Sequence, residues 1–245
     1  MRPILFLVAL LAMPASALEL EGGFSREQLT GGRADWTSAY LEGSHSFAER
    51  QTLYGIARRT SRFDLRDTEY LAGYYHPLGA RWTALVEGNV SPDHRVLPKH
   101  SVLGQVSWQA GGGWVLSPGV RYTEYTASST RLLIGTVERY GSTFRGAYTI
   151  YNGRPEGAGS ATAHRLAFEH FYTERSRVGI GLTRGREVEN VGPPIGITST
   201  DVRSVNLYGR HWLTPAWALT WEGLRHDQGD IYRRQGFRLG LRHRF

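Results

Sequence analysis

The sequence predicts an all-β protein: a transmembrane, antiparallel, up-and-down β-barrel of about 14 strands, with about 12 as the alternative, behind a cleaved N-terminal signal peptide. Three observations carry this expectation. Segments of about ten residues alternate apolar and polar side chains and end in Gly, Pro, Asp, Asn or Ser along almost the whole chain. Connections are short after even strands and often longer and more polar after odd ones, an asymmetry that outer-membrane barrels show and a soluble β-sandwich gives no reason for. Five of the seven tryptophans lie beside the short turns, where an indole would meet a bilayer interface.

The N-terminal residues 1–17 read MRPILFLVALLAMPASA. Arg2 supplies a positive start, 4–13 a short apolar run, and Ala15-Ser16-Ala17 a small-residue cleavage site before Leu18. The run is too short to cross a bilayer as a helix. The barrel domain is therefore expected over 18–245.

Strand 1 is expected at 18–27, setting Leu18, Leu20 and Phe24 against Glu19, Glu21 and Ser25. Strands 2 to 7 follow at 35–46, 51–62, 67–76, 81–91, 100–109 and 113–125, and strand 8 at 129–140. Strand 9 (143–152) sets Phe144, Tyr148 and Ile150 against Arg145, Ala147 and Thr149. Strand 10 spans 162–172. Strand 11 (176–187) sets Val178, Ile180 and Leu182 against Arg177, Gly179, Gly181 and Thr183. Strands 12 and 13 fall at 200–212 and 216–227. Strand 14 (231–245) is the clearest: Phe237, Leu239, Leu241, His243 and Phe245 share one face, and Arg234, Arg238, Arg242 and Arg244 the other. Strands 8 and 12 alternate too poorly to orient. The longer connections are expected at 28–34, 92–99, 153–161 and 188–199, with both chain ends on the periplasmic, short-turn side.

Composition excludes several classes. The 245 residues hold no cysteine, so disulfide scaffolds, cysteine zinc sites and thiol nucleophiles are out. Charged residues make up 21%, and no later run of ~18 apolar residues allows a helical membrane bundle. The net charge is +7, and Lys99 is the only lysine among the 29 basic residues. Such a balance invites a nucleic-acid partner. Export by the signal peptide argues against one and leaves the arginines to be explained otherwise.

The face pattern places the arginines in a lumen. Candidate inward residues are Arg59, Arg121, Arg145, Arg165, Arg177, Arg203, Arg234, Arg238 and Arg242, with Glu19, Glu21, Glu69, Glu87, Glu169 and Glu222. A surplus of guanidinium in a water-filled lumen favours small anionic or saccharide solutes. The alternative is that Arg and Glu pair across neighbouring strands and fill the interior. Trp82, Trp108, Trp114, Trp212 and Trp217, with Tyr74, Tyr75, Tyr140 and Tyr172, are expected to form a periplasmic aromatic girdle. Phe245, with Leu241, Leu239 and Phe237 on the same face, resembles the C-terminal signal read by the barrel-insertion machinery of Gram-negative bacteria; His243 departs from the usual pattern. The expected partners are the outer-membrane lipid bilayer, that machinery and the solutes.

Three stretches give the chain a family resemblance: YYHPLGARWTALVEG (74–88), GVRYTEY (119–125) and the segment 200–245 beginning TDVRSVNLYGRHW. The segment 154–185, RPEGAGSATAHRLAFEHFYTERSRVGIGLTRG, adds to them. Together they resemble the YaiO family of outer-membrane β-barrels. The resemblance implies an integral barrel of the outer membrane and supplies no catalytic or ligand residues to carry over.

No catalytic set stands out. His226-Asp227 with Asp230, and Asp64 with Asp67, lie at expected loop rims and would suit a hydrolase only if those loops met. Ser44-His45 and His100-Ser101 are neighbours on strands and so point to opposite faces. No HExxH or HxH spacing suggests zinc. Gly111-Gly112-Gly113 opens a strand and reads as a turn, not a phosphate loop. The chain is therefore expected to be a non-enzymatic barrel without cofactor or metal. Passive passage of solutes is the first reading, a non-transporting envelope protein associated with polysaccharide export the second, and a loop-rim hydrolase the third.

Overall fold

The computed structural model describes residues 18–192 and 195–245; the expected signal peptide, 1–17, and Pro193 and Pro194 lie outside the described residues. Fourteen strands run in order: β1 (Leu18–Leu29), β2 (Trp36–Ala48), β3 (Gln51–Arg62), β4 (Leu65–Pro77), β5 (Trp82–Val90), β6 (His100–Gly111) and β7 (Trp114–Glu124). They continue as β8 (Ser129–Tyr140), β9 (Phe144–Pro155), β10 (Ala161–Phe171), β11 (Arg177–Asn190), β12 (Ile197–Trp212), β13 (Trp217–Gln228) and β14 (Tyr232–Arg244). Each pairs with its sequence neighbours, and β1 closes antiparallel on β14 from Glu19↔Arg244 to Leu29↔Arg234. Closure leaves no unpaired sheet edge, the condition for backbone to stand in hydrocarbon.

Side-chain bonds that skip a strand identify the concave face, because only there do strands two apart come close. Tyr54 on β3 and Arg121 on β7 both reach Glu87 on β5. Tyr208 on β12 reaches Glu169 on β10, and Thr220 on β13 reaches Glu21 on β1. Strand alternation then assigns the rest. The opposite face carries Phe24, Leu41, Val86, Val102, Val120, Leu133, Leu166, Ile180, Leu207 and Leu239, all exposed. Charges inside and hydrocarbon outside is the arrangement of a membrane barrel.

Two connections differ from the expected lengths. Half of the stretch 188–199 is strand, since β11 runs to Asn190 and β12 starts at Ile197. Between β3 and β4 only Phe63 and Asp64 turn the chain, with φ of 54° and 61°. A two-residue hairpin of this kind needs positive φ at both positions, which favours Asn and Gly. The strain of Phe63 persists because the ring packs on Trp36 at 5.1 Å and on Tyr232 at 6.3 Å.

Candidate functional site: the barrel lumen

The lumen is built of ion pairs. On the β13–β14–β1–β2 wall, Arg242 donates to Glu19, Glu21 and Glu42 at 2.8, 2.6 and 2.9 Å. Tyr40 and Thr220 complete the shell of Glu21 at 2.6 and 2.8 Å. Arg238 pairs with Glu222, which also accepts from Asn206. Arg234 pairs with Glu27. Across the barrel, Arg121 pairs with Glu87, Arg58 with Glu69, and Arg145 with both Glu138 and Glu169. Glu27, Glu42 and Glu138 are inward acids that the sequence reading missed. Together with the inward acids that were expected, they balance most of the lumen arginine.

Four inward guanidiniums form no ion pair among the described residues: Arg244 at the short-turn end of β14, and, further up the wall, Arg165 on β10, Arg177 on β11 and Arg210 on β12. Arg177 and Arg210 are direct cross-strand partners. The Nε atoms of Arg165 and Arg210 are buried without an acceptor among the described residues. Glycines of β11 make room for this wall. A Cβ at Gly181 would stand 3.0 Å from an Arg165 Nη atom, and one at Gly179 2.7 Å from the Tyr208 ring. The inward glycines of this strand are therefore a packing requirement.

These side chains border open volume. A cavity of about 510 Å³ is lined by Arg177, Arg210, Arg238, Arg242, Tyr40 and Tyr208. A second, of about 550 Å³, has Arg145, Arg165, Tyr75, Tyr151, Tyr208 and Gln105 on its walls. A third, of about 390 Å³, touches Pro98, Arg121, Tyr125 and Arg165 near the loop end. A water takes ~30 Å³ of liquid, so each has space for many waters.

At the loop end two connections fold inward. Buried Asp67 accepts from the backbone N–H groups of Val96 and Leu97 through one oxygen, at 2.7 and 2.8 Å. Asn190 donates to the carbonyl of Val96, joining the two loops. Val191, Trp36 and Tyr232 form a buried cluster with Leu29, Phe63 and Ile231 packed against it. Arg62 and Arg234 both stack on Trp36, at 4.3 and 4.9 Å from the ring centre. An aromatic and cationic stopper thus narrows this mouth.

Several expected positions need correction. Arg59 lies on the outer face with Ala57 and Leu53, and its neighbour Arg58 is the inward one. Arg203 shares the outer face with Val205 and Leu207; Arg210 is the inward arginine of β12. In both cases the residue lies near the loop end, where both faces of a strand are polar and alternation carries no information. Trp212 shares the inner face with Tyr208 and Arg210, covered by Arg175 at 5.6 Å. Trp82, Trp108, Trp114 and Trp217 lie on the outer face at the short-turn end, with Trp82 and Trp108 stacked at 5.8 Å. Phe237, Leu239, Leu241 and Phe245 are exposed, and the Phe245 N–H reaches the Leu18 carbonyl. His226 faces inward beside Gln228 and Glu187, whereas Asp227 faces outward and pairs with Arg233. Those two residues are not brought together. Asp67 is consumed by the loop amides and does not meet Asp64.

A closed barrel with an apolar outer band, a charged interior and its tryptophans mostly at one rim is an integral protein of the bacterial outer membrane. Solved barrels share the architecture. The outer membrane protein Omp33 of Acinetobacter baumannii aligns with a TM-score of 0.57 at 11% identity, over 95% of this chain and 100% of that one. The KdgM porin aligns at 0.53 and 10% identity, over 92% and 99%. The translocator domain of the autotransporter NalP from Neisseria meningitidis aligns at 0.51 and 10%, over 99% and 93%. No curated protein matches in sequence. Residues 18–188 match the YaiO membrane beta barrel domain, and the chain belongs to that family. The match ends before 200–245, one of the stretches on which the resemblance was read.

Proposed function

We propose that the protein is a porin-like channel through which small anionic or saccharide solutes pass passively. The unpaired wall of Arg165, Arg177 and Arg210 beside open cavities supports this reading most directly. A guanidinium without a carboxylate partner offers planar donors to a passing carboxylate, phosphate or sugar hydroxyl. Tyr75, Tyr151, Tyr208 and Gln105 add the hydroxyl and amide groups that suit a saccharide. The lumen as a whole is close to charge-balanced, so selectivity rests on these three side chains and not on a general basic surplus. A structure of the KdgM porin carries a disordered oligogalacturonate, which makes an acidic oligosaccharide the natural probe.

The test is single-channel recording in planar bilayers under a salt gradient. The expected wild-type reversal potential favours anions, and an acidic trisaccharide lowers the current. The triple variant R165Q/R177Q/R210Q is expected to lose both effects. A cation-preferring pore, or a variant with unchanged selectivity, would overturn the reading. The second reading, a non-transporting envelope protein associated with polysaccharide export, draws on the stopper of Trp36, Phe63, Tyr232 and Val191; a wild-type barrel that never conducts would favour it.

A further inference from the structure

The arginines displaced from the lumen form a pattern of their own. On the outer face at the loop end, exposed Arg184, Arg203 and Arg225 stand on β11, β12 and β13, one step above Leu182, Val205 and Gly223. Arg184 and Arg203 are direct cross-strand partners, and Arg225 opposes Val205 beside them. Like charges in direct register weaken a strand pair. None of the three forms an ion pair among the described residues. Of the nearby acids, Asp227 stands opposite Arg203 but bonds Arg233, and Asp201 lies within 3.8 Å of Arg186. The same opposition recurs across the barrel at Arg131 and Arg154. Two like-charge pairs near the loop end of one barrel leave outward guanidiniums that could accept an anion from outside the chain.

A groove of about 620 Å³ runs just below on the same outer face. Its floor is Val205, Leu207 and Phe237, and Arg26 and Arg225 border its upper end. Gly223 keeps it open: a Cβ there would meet nothing within 4 Å and would stand in the groove. Height identifies what fills it. Along β13, Arg225 lies eight residues from Trp217 at the short-turn rim. At ~3.3 Å per residue and ~40° tilt that is about 20 Å, against an apolar band of ~25 Å. The guanidiniums therefore reach the upper hydrocarbon boundary, where lipid head groups begin.

We propose that this face of β11 to β1 binds a phosphate-bearing glycolipid of the outer leaflet, with an acyl chain in the groove and phosphates on Arg184, Arg203 and Arg225. The apolar floor opens sideways to the bilayer, which a free anion would not use. Charge complementarity and continuity with the hydrocarbon band select the lipid. The channel reading is not required for this.

The test is native mass spectrometry of the full barrel, purified from outer membranes and stripped of lipid. Three probes are offered: bis-phosphorylated lipid A, its dephosphorylated form and inorganic phosphate. Wild type is expected to retain the bis-phosphorylated lipid and to lose ~tenfold in affinity on removal of the phosphates. R184Q/R203Q/R225Q is expected to lose as much, and G223L to weaken binding by filling the groove. Heat-modifiable electrophoretic mobility checks that each variant is folded. Equal binding by the triple variant, equal retention of the dephosphorylated lipid, or displacement by millimolar inorganic phosphate would each overturn the proposal.

Discussion

Removing Arg242 tests whether the seam of the barrel is held by a buried charge cluster. Its side chain is 10% exposed and Glu21 7%, whereas Glu19 and Glu42 are 23% and 28% exposed. In Arg242→Met, Glu21 keeps Tyr40 and Thr220 on Oε1 but loses the donor to Oε2. Breaking a buried pair by removing one partner costs roughly 3–5 kcal/mol. The two more exposed partners add at most about 1 kcal/mol each. The bordering cavity admits water, so the lower end applies and about 3 kcal/mol is expected. Adding Glu21→Gln neutralises the orphaned carboxylate and should recover about 2 kcal/mol, a coupling that a double-mutant cycle isolates. Urea unfolding of the four proteins in lipid vesicles, followed by tryptophan fluorescence, measures it. A loss under about 1 kcal/mol, or a double variant no more stable than Arg242→Met, would refute the reasoning.

Other outcomes follow from the mouth, the rim and the strand faces. Asp67→Ala leaves the Val96 and Leu97 amides without an acceptor; faster hydrogen exchange at both and a larger single-channel conductance are expected. Single-tryptophan variants in vesicles of brominated lipid should be quenched at Trp82, Trp114 and Trp217 and spared at Trp36 and Trp212, which lie on the inner face. Replacing His226 and Asp227 together should leave peptide and lipid substrates untouched and conductance intact, because the two side chains lie on opposite sides of the wall.

The fold was legible because a membrane barrel writes its solvent into every second residue. On β14 the run from Phe237 to Phe245 has hydrocarbon on one side and water on the other, and the alternation is clean. Arg58-Arg59 shows where that signal stops. Near the loop end both faces of the wall are wet, so two adjacent arginines are equally acceptable and only the register with β2 tells them apart. Trp212 failed for the mirror reason: nearness to a turn gives height along the barrel, not side. The lumen acids Glu42 and Glu138 were missed because their partners lie on other strands, and pairing across strands is not written in any one segment. The inward folding of 91–99 is held by Asp67, which reads from sequence as a rim residue, and by Asn190 on a distant strand.

The outward arginines near the loop end also bear on how the barrel keeps its orientation. Arg26, Arg59, Arg66, Arg131, Arg154, Arg184, Arg203, Arg225 and Arg233 all lie on that rim. Holding one guanidinium on the lipid face at the bilayer midplane costs ~2–4 kcal/mol, and near the interface almost nothing. The ring must cross the midplane once, during assembly, and any reversal would carry it back through together. The transit is therefore a one-way latch: steep enough to need assistance on the way in, and steep enough to forbid the way out.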